Sequence, residues 1–477
     1  MTTRRQFLTI AGGVAGLAVA GGAASAALRD DRGGHPRKSD PPEVPDLLLA
    51  DTDSGLVALR GTGRRLWGRT AVPTVDGKTV YAAGSTADGT TVEVVETTSG
   101  RVLSHATLDG RWVPRVTAPD GSLLALSAPD AGVAVGGSSS APAGRERTTI
   151  LVTNRERELY RLELPGNFAP DAFSIDGLRL FVLEYLPATA PDRYRVRMVE
   201  LGAGTPGPLL TRNKAPVPSG AEEEMRGVGR QAALSPDGRT LYTLYTHQPD
   251  HRHTRDLLTS GRPSGAHAFV HVLNLEIGWA YCLDLPEPFG QGPAAGHGMA
   301  LSANGARLYV VDAGSRRMAV ANAHDLTVDQ VVPVPVGKGE PLDMTVAPDD
   351  RSLYLGSGEE IYRLDLAALT VTAAWAAPAP VRGLAVSHDG ARLYSGYPGG
   401  VAWRSAADGT PAGRRAVNGL TVLRRALCLR RRLRNSHRRC VRRSDRGFNL
   451  PTDAPMQRRR PCRNLPVGNP GVRLFAV

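Results

Sequence analysis

The sequence predicts an all-β fold, a β-propeller of four-stranded antiparallel blades, with seven blades by the first count and eight by the alternative. Three observations predict it. A short turn-and-strand phrase recurs seven times, each unit between phrases holds two hairpins, and no long stretch carries a sustained 3.6-residue apolar period. The phrase is a small residue, a tight Asp-Gly-type turn, then a strand with Leu-Tyr or its equivalent. Its clearest copies are Ser235-Pro236-Asp237-Gly238-Arg239-Thr240-Leu241-Tyr242, Ser302-Ala303-Asn304-Gly305-Ala306-Arg307-Leu308-Tyr309 and Ser387-His388-Asp389-Gly390-Ala391-Arg392-Leu393-Tyr394. Looser copies centre on Asp76-Gly77, Asp120-Gly121, Asp176-Gly177 and Asp349-Asp350. Successive gaps between the Asp or Asn positions are 44, 56, 61, 67, 45 and 40 residues, a unit of about 40–45 residues lengthened by loop insertions.

Each element follows from local chemistry. Asp-Gly and Asn-Gly tolerate the positive φ of a tight hairpin. Apolar runs such as Gly383-Leu384-Ala385-Val386 precede the turn, and runs such as Leu308-Tyr309-Val310-Val311 follow it. In the first unit, Val80-Tyr81 is followed by Val92-Glu93-Val94-Val95-Glu96, a turn at Thr98-Ser99-Gly100, and Val102-Leu103. Two hairpins give four short strands. Four strands repeated radially form a propeller, in which each blade buries its faces against its neighbours.

Laid out this way, the pattern resembles the YVTN-type, WD40-like β-propeller repeat, from about Leu47 to about Val417. In that family a Pro-Asp-Gly turn, an Arg-Leu-Tyr-Val strand, a Val-x-Val-Ile-Asp strand and a Thr-Gly turn follow in order. The match is closest around 76, 304, 349 and 389 and weakest around 176. The resemblance implies a fold and no particular ligand. The four-strand units also resemble those of quinoprotein dehydrogenases. With five Trp in the chain and Cys282 alone among the propeller cysteines, nothing suggests a quinone built from side chains.

Four segments are expected: a signal peptide over residues 1–27, a flexible linker over 28–45, the propeller over 46–418 and an Arg-rich, disordered tail over 419–477. Thr3-Arg4-Arg5-Gln6-Phe7-Leu8-Thr9 has the twin-arginine pattern. A short Gly/Ala-rich apolar run, Ile10 to Ala20, and the small-x-small site Ala24-Ser25-Ala26 follow it. The run is short for a membrane span, so no stable span is expected after cleavage. The expected location is outside the cytoplasm, extracellular or in the cell envelope.

The net charge of +12 is unevenly placed. Residues 419–477 hold 16 Arg, no Lys and two acids, a charge of +14, whereas residues 1–418 carry 42 basic and 44 acidic residues, a charge of −2. Without Arg4 and Arg5 that becomes −4, so the propeller offers no basic surface for nucleic acid. The tail contains Arg430-Arg431-Arg432 and Arg458-Arg459-Arg460, three of the four cysteines (Cys428, Cys440 and Cys462) and no turn phrase. One reading is a polybasic arm, and a metal knuckle is a weaker one because no close C-x2–4-C pair occurs. Another reading is a shift of reading frame between about Leu420 and Arg430, since 54 Arg against 4 Lys marks a GC-rich gene. Upstream, Leu47-Leu48-Leu49-Ala50 and Leu56-Val57-Ala58-Leu59 form a partial blade with no phrase before it. Closing strands from Gly419-Leu420-Thr421-Val422-Leu423 would complete that blade and raise the count to eight.

Candidate function lies in the longest insertion. His247, His251, His253, His267, His271 and His297 put six of the 11 histidines within 51 residues. His247, Asp250, His251 and His253 are the candidate ligand-binding residues. Imidazoles with an oxygen donor suit zinc or another borderline metal, although no cofactor is required by the pattern. The competing reading is an exposed polar loop, with His271 packing on the face of Leu273. Glu222-Glu223-Glu224 could bind a cation but is read as a solvated loop, and Cys282 as a buried free thiol beside Tyr281. No G-x-S-x-G elbow, P-loop or H-E-x-x-H motif occurs, so no catalytic residue is assigned. Two functions stay open: a scaffold binding a protein, peptide or glycan on a loop-rich face, and an enzyme similar to the lactonases that share this repeat, hydrolysing a small ester or sugar lactone.

Overall fold

Each turn phrase joins the innermost and second strands of a four-stranded antiparallel sheet, and eight such sheets form the ring. The computed structural model describes residues 43–68, 70–85, 89–129, 142–226, 229–248, 251–259, 267–427 and 472–474. In chain order, blade 1 is divided: Val44–Thr52, Gly55–Gly61 and Gly63–Trp67 are completed by Leu420–Leu427 on the inner side. Blades 2 to 8 span 71–109, 113–165, 167–207, 229–284, 297–333, 342–376 and 384–416. The count is therefore the larger of the two expected. The weak unit at Asp176 is a complete blade, and the partial N-terminal unit finds its missing strand at the other end of the chain.

The phrase has one recurring geometry. Gly77, Gly177, Gly238, Gly305 and Gly390 sit at φ between 69° and 75°, and each donates its N–H to the carbonyl three residues back. The small residue at that position points its hydroxyl at the turn carboxylate or amide: Thr74 to Asp76, Ser235 to Asp237, Ser302 to Asn304 and Ser387 to Asp389. In blade 7 Asp350 takes the glycine position at φ 58°. The phrase tyrosine then reaches into the next blade. Tyr81 Oη donates to Gly121 O (2.8 Å), Tyr354 to Ala406 O (2.7 Å) and Tyr394 to Asp46 Oδ2 (2.6 Å).

Among the described residues the core is eight apolar clusters, one between each pair of successive blades. Removing these facing sheets from water contributes most to holding the ring together. The closing cluster joins Val44, Leu48, Ala50 and Leu59 of blade 1 to Ala385, Tyr394 and Trp403 of blade 8, through Leu420 and Leu423. Antiparallel pairing from Leu47–Leu427 to Thr52–Leu420 ties the two chain ends. The propeller strands thus start at Val44 and continue to Leu427, past the expected boundaries of 46 and 418. The reason is physical: the first strand would otherwise present an unpaired edge, and Leu420–Leu427 covers it. Val472–Leu474 adds a short strand to the inner edge of blade 5. Most of the Arg-rich tail and the whole signal segment lie outside the described residues. Among the described residues, no helix is long and apolar enough to cross a membrane.

Candidate functional site between blades 4 and 5

Blade 5 carries an insertion between its second and third strands, Thr240–Thr246 and Phe269–Asn274. Within it, residues 251–253 lead into a short helix, α1 (Thr254–Thr259). On the third and outermost strands, Phe269, His271 and Leu273 share a face with Ala280, Cys282 and Asp284, because Phe269 pairs with Asp284 and His271 with Cys282. That face looks toward blade 4, where it packs with Phe181, Leu183, Val196 and Met225. Blade 4 sends back its own connection, residues 208–226, so two insertions fold over one interblade face.

The insertions bring a chain of alternating charges into this seam. His253 is wholly buried, and its Nε2–H donates to Asp284 Oδ1 (2.6 Å). Arg255 pairs with the other Asp284 oxygen and donates to Cys282 O (2.7 Å). On the other side of His253, its Nδ1 faces Glu223 Oε1 at 3.6 Å. Glu223 accepts the Thr254 N–H at the start of α1 (2.8 Å) and the Cys282 thiol (2.8 Å). His251 Nε2 is 3.9 Å from Glu223 Oε2, and its ring stacks on Phe269 at 4.4 Å. Asp256 accepts the His253 N–H (3.1 Å), fixing the turn into α1.

The electrostatics follow from these contacts. Burial opposes ionisation of Glu223, but the facing imidazoles of His251 and His253 outweigh it and hold the carboxyl well below its usual range. Burial lowers His253, yet Asp284 and Glu223 raise it to about 9. Burial together with the Glu223 charge pushes the Cys282 thiol well up. Asp284, raised by burial, is held low by His253 and Arg255. Beside the network is a cavity of about 580 Å³, within the ordinary size of a small-ligand site. Its lining is largely apolar, including Leu209, Leu210, Val217, Met225 and Leu258, with Arg212, Glu222, Glu223, Arg255 and Cys282 among its polar points.

Of the candidate residues, His251 and His253 come together here. His247 directly follows the second strand of blade 5 at φ 58° and faces His297 of blade 6, with ring centroids 6.4 Å apart. Asp250 lies outside the described residues. His271 shares the face of Leu273, as expected, and it also lines the cavity. Glu222 and Glu223 correct the expectation of a solvated loop, whereas Glu224 is exposed. The Glu222 and Glu223 side chains are only 11% and 13% exposed, because Arg195 and Arg197 take Glu222 and the histidines take Glu223. Cys282 is a buried free thiol, as expected. Sequence reasoning missed Glu223, Asp284 and Arg255 as members of one network. The only signal was an acidic run upstream of a His-rich insertion.

Fold and site together define an eight-bladed propeller with a charged, thiol-containing seam between two blades. No protein-family model matches the chain, and no curated protein matches it in sequence. Among solved structures it is similar to apo AztD from Citrobacter koseri, with 11% identity, TM-score 0.49, and 80% of this chain and 97% of that chain covered. It is also similar to a putative 6-phosphogluconolactonase from Bacteroides fragilis, with 13% identity, TM-score 0.41, and 82% and 99% covered. A third is the crystal structure of the eukaryotic initiation factor, with 15% identity, TM-score 0.46, and 79% and 97% covered.

Proposed function

We propose that the chain is an exported binding propeller that holds its ligand in the cavity between blades 4 and 5. The observation that carries this reading is the convergence of two neighbouring insertions over one apolar cavity with a few ordered charged groups. His251 and His253 meet their carboxylates over the outermost strand of blade 5, far across the sheet from its inner strand. That placement favours a binding seam over an acid–base pair in the central channel, as a lactonase-like enzyme would use. The lining suits the apolar anchoring side chain of a peptide or protein partner, with Arg255 and Glu223 orienting its polar end.

Export rests on the twin-arginine pattern of Arg4 and Arg5, and replacing both with Lys should leave the protein in the cytoplasmic fraction. The cavity is tested with the dye 1-anilinonaphthalene-8-sulfonate, using Ala215→Trp to fill the cavity mouth. One dye per chain, lost in the variant, is the expected result. Dye binding that ignores Ala215→Trp, or turnover of sugar lactones or small esters abolished by Glu223→Gln, would overturn the scaffold reading.

A further inference from the structure

We propose that Glu223, His253 and Cys282 form a binding site for one borderline transition-metal ion, zinc(II) in the first instance. A Glu223 carboxylate oxygen, a ring nitrogen of His253 and the Cys282 Sγ all lie within 4.8 Å of one another. Ideal tetrahedral zinc would place such donors about 3.3–3.6 Å apart, so the cluster needs to close by roughly 1 Å. The Sγ–Oε2 and Nδ1–Oε1 separations, 2.8 and 3.6 Å, already bracket that value.

The second observation concerns His253 alone. Its ring is wholly buried, and Nδ1 makes no hydrogen bond, facing Glu223 Oε1 only at 3.6 Å. A buried polar atom left this way calls for an explanation. Its other nitrogen donates to Asp284, which is itself held by Arg255. This is the carboxylate–histidine arrangement that fixes a ring so that its free nitrogen faces a metal. The thiol, imidazole and carboxylate donor set selects zinc or a similar ion over magnesium or calcium, which prefer oxygen alone. A purely structural ion network would not need the thiol at its centre.

Three protein ligands leave a fourth position. Glu223 and Cys282 line the cavity and His253 lies behind them, so that position opens on the cavity. The proposal deepens the reading of the cavity as a binding site and depends on it only for the fourth ligand. A three-ligand, open site is the arrangement that takes an exogenous donor.

The test is titration of the chelator-treated full chain with cobalt(II). It is run on the wild type and on a form carrying Cys428→Ser, Cys440→Ser and Cys462→Ser, in which Cys282 is the single thiol. Equimolar uptake with thiolate-to-cobalt charge-transfer absorption is expected in both, with displacement by equimolar zinc(II). Cys282→Ala should abolish the absorption and weaken zinc(II) binding by about 100-fold or more. Asp284→Asn, a positioning change, should keep the absorption and weaken zinc(II) binding by about 10–100-fold. Absence of equimolar uptake, loss of the absorption in the single-thiol form, or its survival in Cys282→Ala would overturn the site. If Cys282→Ala fails to fold, the single-thiol form decides alone. Ala215→Trp separates the two proposals, since it should block the dye and leave cobalt uptake intact. Cobalt uptake without any dye binding would remove the cavity reading and leave the metal site standing.

Discussion

Leu423→Ala tests how the ring is closed. Leu423 is 2% exposed and lies in the cluster joining blade 8 to blade 1. Its N–H donates to Arg382 O of the segment leading into blade 8 (2.7 Å), so its backbone is held whatever its side chain. Truncation removes buried methyl and methylene groups from a site pinned on both sides, where little collapse can fill the gap. Such changes cost 2–5 kcal/mol, and about 3 kcal/mol is expected here. The loss falls on the strands that pair residues 44–52 with residues 420–427, so it appears as local opening before global unfolding. About 3 kcal/mol corresponds to roughly 10²-fold faster amide exchange. Hydrogen exchange followed by mass spectrometry should show that acceleration across residues 44–52 and 420–427, with blades 4 to 6 little changed. Leu103→Ala, at a 36% exposed position, is the control. Acceleration below about threefold in the two closing strands, or equal acceleration in all blades, would refute the closure argument.

Three further outcomes follow from the same contacts. Tyr394→Phe removes a bond to the Asp46 carboxylate from a fully buried ring, and chemical denaturation should show a loss of about 2 kcal/mol, Arg392 at 3.5 Å keeping Asp46 partly paired. Gly383→Ala should be far worse than an ordinary surface change, because φ is +95° and a Cβ would fall 2.1 Å from the Leu423 carbonyl oxygen; expression and melting temperature report it. The turn carboxylates set the acid limit. For Asp76 and Asp176, burial acts upward but Lys78, Ser174 and the turn N–H groups prevail, while at Asp389 the Ser387 hydroxyl leads, so all three sit low in the folded state. Depressed carboxyls contribute stability above the unfolded pKa of about 3.9 and lose it as pH falls through their folded values. The melting temperature should therefore drop from about pH 4 downward, and Asp176→Asn with Asp389→Asn should flatten that slope.

How much was legible in the sequence depends on the range of the interactions. The turn phrase is a local device, in which hydroxyl, carboxylate and glycine act within five residues, so its positions marked the blades directly. At the weaker copy around Asp176, Phe181 stands where five of the other copies have Tyr and the Asp120 copy has Ala125, and Phe181 packs in the interblade cluster as a phrase aromatic should. Closure was only partly readable. Leu420–Leu427 carries apolar residues at 420, 422, 423, 426 and 427 without strict alternation, and also Arg424 and Arg425, and its partner lies more than 360 residues away. Arg424 is accommodated by Asp51, and Arg425 by the Val75 carbonyl. The His-rich insertion stood out by composition. Its carboxylate and thiol partners did not, because Glu223 comes from the approach to blade 5 and Cys282 from its far edge. Only strand pairing within blade 5 and packing against blade 4 bring them together.

The central claim is that the seam between blades 4 and 5 is a binding site built around Glu223, His253 and Cys282. The most direct measurement is anomalous diffraction at the zinc absorption edge from crystals of the full chain grown with equimolar zinc(II). One peak about 2.0–2.3 Å from a Glu223 oxygen, His253 Nδ1 and Cys282 Sγ is the predicted result. An empty seam, or zinc held elsewhere with these three side chains still bonded as an ion network, would contradict it.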